Sequence, residues 1–457
     1  MNLLYHADTI AAIATAPGEG SVGIVRISGP DALTIADQVF RCSGPLPSER
    51  ESHTVVYGNV TSQGKNIDES LMIIMRGPRS YTAEDVVEIQ GHGGSLCAKR
   101  ILRCCVDAGA RVAEAGEFTK RAFLNGRIDL LQAEAVLDLV RAQSERASSA
   151  ALEQLDGGLS DTFTGIYEYL LSASARLEAT LDFPEDELPE AILPEILADL
   201  SVVEQDLNQL LDTWEEGKLL REGALVVISG EPNVGKSTLM NAMLNTERAI
   251  VTDIPGTTRD TIEEGLVLDG IPVRLVDTAG LRETEDKVEK MGIERTRALV
   301  EKADFHIILY DVQQPIDVNT LEGKDPDLSL VILNKVDLAE PSALPQELSA
   351  FRCLHTSLIH SRGLSELKAT LAARLSEHAD LAARPQAVIS ERHRSVVTAA
   401  LAELDIAKSY VEQNDDAVLV LAASQCRLAL EQIGEATGKI YHEDLLDSVF
   451  STFCIGK

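Results

Sequence analysis

The sequence lacks the features of a membrane-spanning, secreted or disulfide-bonded protein. Its longest apolar run near the C-terminal end, Ala417 to Ala423, is far too short to span a bilayer. The first ten residues contain neither a basic region nor a long apolar one, so we expect no signal peptide. Seven scattered cysteines form no CxxC pair, which favours reduced thiols. We therefore expect a cytoplasmic protein without a membrane partner.

The chain also lacks an excess of positive charge, because its formal net charge is −32. That balance argues against a protein that coats nucleic acid by charge alone. The charge is unevenly spread, however. Residues 182–217 contain twelve Asp or Glu and no Lys or Arg, whereas residues 76–127 contain nine Lys or Arg against six acids. We interpret the acidic run as a solvated helical face and expect any polyanionic partner to meet the basic segment.

The length of 457 residues suits about three domains, each with its own core. Residues 1–124 are predicted to form an α+β domain that begins with two β-rich runs joined by a Pro/Gly turn. Residues 125–217 have helical apolar spacing. Strand and helix signals alternate over residues 218–383, as in a doubly wound parallel sheet, and residues 384–457 return to helices. We predict a multidomain protein in which an α/β domain is inserted into an all-α helical domain.

The segment GEPNVGKST, residues 230–238, fits the phosphate-loop pattern G-x-x-x-x-G-K-[ST]. It lies between a predicted strand and a predicted helix, where backbone N–H groups can wrap a β-phosphate. Lys236 would neutralise charge on the β- and γ-phosphates, and Ser237 would ligate Mg²⁺. A plain glycine turn is the alternative interpretation, and the motifs that follow argue against it.

Three later motifs complete a guanine-nucleotide site. VRLVDTAG ends a predicted strand with Asp277, placed to hold the Mg²⁺ shell, and Thr258 is spaced to close a switch loop over that ion. In LVILNKVD, Asp337 can accept from guanine N1–H and the 2-amino group, donors that adenine lacks. Asn334 would support the guanine O6/N7 edge, and Lys335 would pack beside the ring. The inserted domain is therefore predicted to be a P-loop GTPase domain that uses GTP rather than ATP.

The predicted GTP contacts extend through all of these motifs. The N–H of Gly280 would reach the γ-phosphate. The stretch TSL, Thr356 to Leu358, would place a backbone amide near guanine O6, although this match is weak alone. The predicted GTP-binding residues are Asn233, Val234, Gly235, Lys236, Ser237, Thr238, Thr252, Asp253, Ile254, Pro255, Gly256, Thr257, Thr258, Asp277, Thr278, Ala279, Gly280, Asn334, Lys335, Val336, Asp337, Ser357, Leu358 and Ile359.

The motif order resembles the translation-factor-related class of GTPases. Leu281 follows DTAG where Ras-like proteins place a water-orienting glutamine, so catalytic help must come from elsewhere. The resemblance implies that Asn233 ligates K⁺, which would supply the charge that an arginine finger otherwise gives; a loop-capping side chain is the alternative. It also implies that Glu289 orients the attacking water. The K⁺ cage would be completed by Thr252, Ile254 and Thr257.

Three further segments narrow the family: GEGSVGIVRISGP near the start, EAGEFTKRAFLNGRIDLLQAEAV at residues 114–136, and FCIGK at residues 453–457. With them the chain resembles, over essentially its whole length, the tRNA modification GTPases known as MnmE or TrmE. The resemblance implies a homodimer that forms a heterotetramer with a flavin-dependent partner, MnmG. Together they would add an aminomethyl-type group at C5 of the wobble uridine, position 34, in certain tRNAs. The one-carbon unit would come from 5-formyltetrahydrofolate or 5,10-methylenetetrahydrofolate in the N-terminal domain.

The resemblance also assigns residues to the folate and modification chemistry. Glu88 in VVEIQGHGG matches the family position that would accept from the pterin. Arg26, Arg127 and Lys457 match positions for the folate carboxylates and formyl oxygen. Cys454 would act as a nucleophile or as an acid–base group. Alone, the two arginines would more often be surface ion-pair residues, the glutamate a strand-end charge and the cysteine a packing thiol.

The remaining candidates have mainly structural interpretations. His92 in GHGG is expected to be a turn histidine. Phe450 and Phe453 are expected to anchor the last residues and so to bring Lys457, with its terminal carboxylate, to the folate site. The helical cysteines are expected to be packing thiols rather than metal ligands: Cys97, Cys104 and Cys105.

Two other functions stay open. A ribosome-assembly or regulatory GTPase of the Era or EngA type would dock on RNA, yet the sequence contains neither a KH-like GxxG fold nor a basic tail. A folate-dependent enzyme whose GTPase domain only regulates it would differ mainly in where the two activities are coupled. The residues do not decide that point.

Overall fold

The protein is described by a computed structural model that covers residues 8–182, 192–247, 263–277, 302–339, 344–378 and 388–457. The chain divides into two compact units. One contains Met1–Leu137 and Leu430–Lys457, and the other contains Asp138–Ala429. Residues distant in sequence therefore meet in the first unit, because its last 28 residues pack with its beginning. The predicted boundaries at residues 124, 217 and 383 stay predictions.

The first unit is built on a seven-stranded sheet with the order β3-β4-β5-β6-β2-β1-β7. Its elements are β1 (Ile10–Ile13), β2 (Val22–Ser28), α1 (Ala32–Val39), β3 (Phe40–Cys42), β4 (Thr54–Ser62), β5 (Lys65–Met75), β6 (Val86–His92), α2 (Ser95–Asp107), β7 (Arg111–Val112) and α3 (Glu117–Leu124). Neighbouring strands are antiparallel except β1 and β7. Helices α1 and α2 pack one apolar face each against the sheet.

An aromatic cluster joins the two ends of this unit. α3 is followed by α4 (Leu130–Arg141), and the unit's last helix is α13 (Glu443–Phe450). The ring of Phe123 lies 5.4 Å from that of Tyr441, and the rings of Phe450 and Phe453 are 5.5 Å apart. Because Phe450 and Phe453 are buried in the same cluster as Phe123, the chain after α13 is anchored by apolar contacts.

A buried guanidinium ties the strands of the first unit to α3. Arg121 is only 1% exposed. It donates to Asp8 at 2.7 Å, to Glu117 at 3.0 Å and to Glu84 at 3.3 Å, while Arg111 donates to Asp8 at 2.7 Å and to Glu117 at 2.6 Å. A charge this deep is tolerated only when such partners surround it. These five residues, called the Arg121 cluster below, therefore depend on one another.

The helices of the second unit pack through regular apolar stripes. The stripe of α7 is Ile196, Leu200, Val203, Leu207 and Leu210, whose spacing puts these side chains on one buried face. That face lies between α6 and α11. The helical elements are α5 (Glu145–Leu155), α6 (Gly158–Asp182), α7 (Ile192–Asp212), α8 (Trp214–Glu222), α11 (Glu391–Gln413) and α12 (Asp416–Thr437).

Within α12, Ala417–Thr437 is long and apolar enough to cross a membrane by length and composition alone, and 44% of its most apolar window is buried inside the protein. Helices in the cores of soluble proteins meet the same criterion. We therefore do not interpret α12 as a membrane-spanning helix.

The second unit also contains a six-stranded sheet with the order β13-β12-β11-β8-β10-β9. Its elements are β8 (Ala224–Gly230), α9 (Lys236–Glu247), β9 (Glu263–Leu268), β10 (Ile271–Asp277), β11 (Phe305–Asp311), β12 (Ser329–Asn334), β13 (Arg352–Thr356) and α10 (Leu364–His378). All neighbouring pairs are parallel except β9 and β10. The chain order reverses beside β8, and such a switch point leaves a crevice at the carboxyl ends of the strands.

Two chain segments, one entering and one leaving the α/β part, connect the helices of the second unit to this sheet. Arg221, near the end of α8, donates to the carbonyls of Val388 and Ile389 at 2.6 Å each and to Asp138 at 2.7 Å. It thereby ties the chain entering the α/β part to the chain leaving it. A cavity of about 260 Å³ opens beside these residues, away from the carboxyl ends of the strands.

Replacing the buried guanidinium with Arg121→Met should destabilise the first unit by roughly 3–5 kcal/mol, because the acids around it lose their counter-charge. The measurement is hydrogen exchange of the β1 and β2 amides in the full chain. Arg103→Met is the matched control, since the side chain of Arg103 is 76% exposed and pairs with Asp107 on its own helix. Its cost should stay below about 0.5 kcal/mol.

The same cluster should make the first unit sensitive to acid. Burial raises the pKa of Asp8 and of Glu117, but the bonds from Arg111 and Arg121 outweigh it, so both pKa values lie below normal. Carboxyls with depressed pKa values stabilise the fold above their unfolded pKa and lose that contribution as the pH falls through the folded value. The exchange protection lost below about pH 4 should therefore be smaller in Arg121→Met than in the wild type. An equal acid response would contradict the assignment.

Candidate functional site

The phosphate loop, Gly230 to Lys236, joins β8 to α9 at the carboxyl end of the sheet. Lys236 is buried, and its Nζ donates to the carbonyls of Gly230 and Glu231 at 2.8 Å each. Burial lowers the pKa of Lys236, and the charge of Asp277 partly opposes that shift. The ammonium therefore lies across the loop, where phosphate oxygens could replace the two carbonyls.

The loop needs backbone conformations that most residues avoid. Gly230 has φ +144°, and a Cβ there would lie 2.3 Å from the carbonyl oxygen of Leu309. Gly235 has φ +113°, and its Cβ would lie 2.5 Å from Nδ2 of Asn334. Asn233 adopts the left-handed region with φ 65°, which asparagine tolerates better than most residues. Gly230 is thus required by its close approach to a backbone carbonyl, and Gly235 by its close approach to the Asn334 side chain.

The guanine motif supports the phosphate loop from behind. Asn334 is 3% exposed. Its Nδ2 donates to the carbonyl of Val234 at 2.8 Å, and its Oδ1 accepts from Thr356 at 3.1 Å and from the N–H of Leu358 at 3.3 Å. The sequence predicted a role at the guanine O6/N7 edge only. The structure adds that this amide joins the phosphate loop to the segment at the end of β13.

Two oxygen donors lie together at the predicted Mg²⁺ position. The hydroxyl of Ser237 at the start of α9 donates to Oδ2 of Asp277 at 3.4 Å. Asp277 ends β10, which pairs in parallel with β8, so both strands deliver their residues to the same edge. A hydroxyl and a carboxylate are the hard ligands that Mg²⁺ prefers. These residues fit the ion.

The guanine end is formed by Asp337 and the segment after β13. The nearby Ser357 hydroxyl holds the pKa of Asp337 below its usual value, with smaller contributions from His360 and Lys335. Nε2 of His360 lies 3.9 Å from Oδ2 of Asp337. Leu358 is buried, whereas Ile359 is 78% exposed. The carboxylate therefore stays ionised near neutral pH and can accept from a base.

Part of the predicted site lies outside the described residues. The switch-loop and water-orienting predictions belong to this group. They are Thr252, Asp253, Ile254, Pro255, Gly256, Thr257, Thr258, Thr278, Ala279, Gly280 and Glu289. These assignments stay predictions. Of the predicted K⁺ ligands, Asn233 lies within the described chain.

A second cluster lies on the sheet of the first unit. Arg26 on β2 faces Glu88 on β6 in the strand register, and its Nε donates to Oε1 of Glu88 at 2.8 Å. Both side chains are largely covered, with 18% and 15% exposed. A carboxylate accepts several hydrogen bonds, so Glu88 can serve the arginine and a further donor. The ion pair that was the alternative interpretation of Arg26 is therefore formed with Glu88, the other predicted site residue, whereas Glu88 alone was expected to be a strand-end charge.

Aromatic rings line this pair, and the sequence interpretation did not identify them. The guanidinium carbon of Arg26 lies 5.0 Å from the ring centre of Tyr81 and 5.5 Å from that of Phe118. Arg127 lies 5.0 Å from the same Tyr81 ring and donates to the Tyr81 carbonyl at 2.9 Å. The only available signal was an aromatic residue in each of two polar segments, RSYTAED and GEFTKRA. Tyr81 thus sets the spacing between two predicted folate cations.

The last residues of the chain lie against the same sheet. Ala115 and Ile455 form an antiparallel bridge, and the N–H of Gly116 donates to the Cys454 carbonyl at 3.4 Å. Gly456 approaches β1 so closely that a Cβ would lie 2.3 Å from the Ile13 carbonyl oxygen. Burial lowers the pKa of Lys457; the interaction with Cys454 opposes this shift, and the charge of Arg26 adds to it. Cys454 is exposed.

Other sequence candidates have local structural partners. Nδ1 of His92 lies 2.7 Å from Oδ1 of Asp68, and this hydrogen bond raises the pKa of His92. Cys104 and Cys105 belong to the core beneath α2, and burial raises the pKa of Cys105 to about 12. In the described part of the chain, no group of three or more His, Cys, Asp or Glu is arranged to hold a metal ion. The expectation of packing thiols therefore agrees with where Cys104 and Cys105 lie.

The strand order, the phosphate loop and the Asn-Lys-x-Asp segment together define a P-loop GTPase domain. A carboxylate at position 337 can accept from the N1–H and 2-amino groups of guanine, and adenine has neither donor. A family model described as "MnmE helical domain" matches residues 130–454, and one described as "GTP-binding protein TrmE N-terminus" matches residues 9–127. The chain belongs to the MnmE family of tRNA modification GTPases.

Full-length relatives agree with that family. The tRNA modification GTPase MnmE of Alkaliphilus oremlandii is 42% identical over 463 aligned residues, which cover 99% of this chain and 100% of the relative. The protein of the same name from Geobacter sulfurreducens is 42% identical, with the same coverage. A crystal structure of the G domain of the T. maritima FeoB iron transporter has 26% identity, covers 34% of this chain and 98% of its own, and has a TM-score of 0.25. The predicted family, fold class and GTPase activity are confirmed by the relatives and family models.

Changing the base-reading carboxylate should change the nucleotide. An asparagine amide at position 337 can donate a hydrogen bond to the 2-oxo group of xanthine. With guanine, the same amide faces the 2-amino group, which is also a donor, so no hydrogen bond forms. Asp337→Asn should therefore lose at least about 100-fold in GDP affinity and bind XDP more tightly than GDP. Competition binding with labelled nucleotides measures both effects. Asp327→Asn is the control, because that carboxylate is 86% exposed and pairs with Arg374; unchanged preference in Asp337→Asn would contradict the assignment.

Proposed function

We propose that this chain hydrolyses GTP with K⁺ and Mg²⁺ to drive modification of the wobble uridine at C5, acting as a homodimer with a flavin-dependent MnmG partner. Membership in the family supports the assignment of tRNA modification and of GTPase activity. The observation that carries the finer proposal is in the first unit. There the Arg26–Glu88 pair and Arg127 both contact Tyr81 through their guanidinium groups, and Lys457 is close enough to Arg26 for that charge to lower its pKa.

The GTP step is supported by the contacts of the phosphate loop. Lys236 is already inside the loop and would exchange two carbonyl partners for phosphate oxygens. Ser237 and Asp277 would hold Mg²⁺, which neutralises phosphate charge when bound. Asp337 would select guanine. Since no glutamine follows DTAG, Glu289 is proposed to orient the attacking water.

Potassium is proposed as the missing positive charge beside the β- and γ-phosphates. Asn233 is held in a left-handed conformation at the loop, and its side-chain oxygen is a suitable ligand for a monovalent cation. Thr252, Ile254 and Thr257 are proposed to supply the other oxygens. A preorganised cation at this place would accelerate phosphoryl transfer by roughly 10³-fold or more.

A tetrahydrofolate is proposed to bind over the sheet of the first unit and to supply the one-carbon unit. Glu88 retains acceptor capacity for ring N–H groups while it fixes Arg26. Arg127 and Lys457 offer positive charge for the folate carboxylates, and the lowered pKa of Lys457 reflects burial near Arg26. Tyr81 and Phe118 add apolar walls for a flat ring.

Cys454 is proposed to perform acid–base or nucleophilic chemistry on the activated one-carbon unit or the uridine. The thiol is exposed, while Phe453 beside it is buried, so the backbone is fixed and the sulfur stays accessible. The backbone N–H of Lys457 donates to the Cys454 carbonyl at 3.4 Å, which folds the segment back on itself. The same chain could thus bring a nucleophile to a bound folate.

Folate binding should depend on Glu88 and Arg127 and should not depend on the presence of a guanine nucleotide. Full-length protein titrated calorimetrically with 5-formyltetrahydrofolate should bind with or without GDP. Glu88→Ala and Arg127→Ala should each weaken binding by about tenfold or more, as expected for a charge-assisted hydrogen bond. Arg103→Ala, an exposed cation of the same unit, is the control. Absent binding, or wild-type affinity in both variants, would refute the folate site.

The modification step should separate cleanly from GTP hydrolysis. Cys454→Ser is nearly isosteric, so we expect turnover that is higher in K⁺ than in Na⁺, as in the wild type. Mass spectrometry of tRNA from cells carrying this variant should show no modified wobble uridine. Cys42→Ser, at the far edge strand of the same sheet, should leave modification intact. Wild-type levels of modified uridine in Cys454→Ser would remove the thiol from the chemistry, and loss in both variants would point to misfolding.

A further inference from the structure

A buried carboxylate lies behind the phosphate loop and belongs to none of the nucleotide motifs. Asp311 ends β11, and its side chain is 3% exposed. Its Oδ2 accepts from Nζ of Lys335 at 2.7 Å, and its Oδ1 accepts from the backbone N–H of Gln313 at 3.0 Å. Both oxygens are therefore occupied, and the carboxylate is fixed in orientation.

Lys335 passes this constraint on to the phosphate loop. The same Nζ that is paired with Asp311 donates to the carbonyl of Asn233 at 2.9 Å. Both ends of this link are in unfavourable backbone conformations, with φ 67° at Lys335 and φ 65° at Asn233. Asparagine tolerates this conformation better than most residues, but a lysine holds it only where its surroundings enforce it. The chain of contacts runs from β11 through Lys335 to Asn233.

We propose that Asp311 is a positioning residue for the nucleotide site, and that it sets both the affinity for guanine nucleotide and the K⁺ concentration that hydrolysis requires. It does so by holding Lys335, which in turn holds Asn233. The potassium part rests on the proposed function, in which Asn233 ligates the cation. The affinity part rests only on the geometry of the phosphate loop.

Charge as well as geometry links Asp311 to the cation. With Asp311 ionised, the Lys335 ammonium is neutralised within 2.7 Å of its nitrogen. Without that charge, a free ammonium would remain bound to the loop residue that is proposed to ligate K⁺. Two positive charges a few ångströms apart repel each other, and the effect is strong where water is partly excluded. Loss of the carboxylate should therefore weaken K⁺ binding even if the loop keeps its shape.

The neighbouring carbonyl provides an internal comparison. Val234 is held by the neutral amide of Asn334 at 2.8 Å. Asn233 is held by an ammonium that needs a counter-charge. Only the support at Asn233 thus depends on Asp311, so the expected effect is concentrated at the cation-binding residue. A general loosening of the domain would affect both supports.

The chain contains a closely matched control at the other end of the same strand. Asp304, directly before β11, accepts from Nζ of Lys218 at 3.1 Å and from the backbone N–H of Leu225 at 2.8 Å. Like Asp311, it combines one lysine with one backbone amide. It lies at the amino end of β11, away from the phosphate loop. Asp304→Asn therefore removes a carboxylate with the same kinds of partners, 22% rather than 3% exposed, without changing the contacts from Asp311 to Asn233.

The experiment compares wild type, Asp311→Asn, Asp311→Glu and Asp304→Asn as full-length proteins. GTP turnover is measured against K⁺ concentration at constant ionic strength with choline as the replacement cation, and GDP affinity is measured separately with a fluorescent analogue. Asp311→Asn should raise the K⁺ concentration for half-maximal turnover on the order of tenfold and weaken GDP binding severalfold. Asp311→Glu, which keeps the charge, should require less K⁺ than Asp311→Asn. Asp304→Asn should behave as wild type in both assays.

Thermal unfolding separates positioning from stability. A lowered Tm in Asp311→Asn with unchanged K⁺ requirement and GDP affinity would overturn the proposal, and so would equal shifts in Asp311→Asn and Asp304→Asn. If wild-type turnover does not respond to K⁺, the potassium part of the proposed function fails instead. The GDP affinities then decide: weaker binding in Asp311→Asn than in Asp304→Asn supports positioning, and equal binding overturns it.

Discussion

A phosphate loop can bind an anion only while its carbonyl groups point away from the ligand, because each carbonyl would repel the phosphate that the amides attract. In this chain two consecutive carbonyls, those of Asn233 and Val234, are bound from behind by Lys335 and Asn334. The guanine motif thus shapes the phosphate site as well as reading the base. Loss of either support would free a carbonyl to turn toward the nucleotide. This coupling explains why residues about 100 positions apart form one site.

In the first unit, too, close contacts between segments distant in sequence fix the backbone, here near the two ends of the chain. Gly116 lies so close to α13 that a Cβ would approach the Phe450 carbonyl oxygen to 2.7 Å, and Gly456 is closer still to β1, with 2.3 Å to the Ile13 carbonyl oxygen. The aromatic cluster around Phe123 holds these segments together. Lys457 then lies on a fixed backbone, close enough to Arg26 for the charge of that arginine to lower its pKa. The apolar packing around Phe123 therefore also fixes the position of the polar residues that follow Phe453 in the chain.

The sequence predicted the elements that are determined by residues close to one another in the chain. The apolar run of β8 followed by GEPNVGKST, and the one-sided stripes of α4 and α7, specify strand, loop and helix by themselves. The strand β4 was not predicted, since Val55 and Tyr57 are exposed and blur its alternation. Tyr81 and Asp311 could not be recognised either. Their roles depend on contacts with Arg127 and Lys335, which lie 46 and 24 positions away.

The net charge of −32 affects how both sites work. In so acidic a chain, the cations that matter are already paired within the protein: Arg26 with Glu88, and Lys335 with Asp311. Such a cation cannot bind a ligand at full strength, because its carboxylate shares the charge. The pair does hold the guanidinium or ammonium in one place, so little side-chain entropy is lost when the ligand arrives. Lys236 differs, since it is held by two neutral carbonyls and keeps its whole charge for phosphate. The acidic surroundings therefore leave the strongest anion binding to the phosphate loop and give the paired cations the task of orientation.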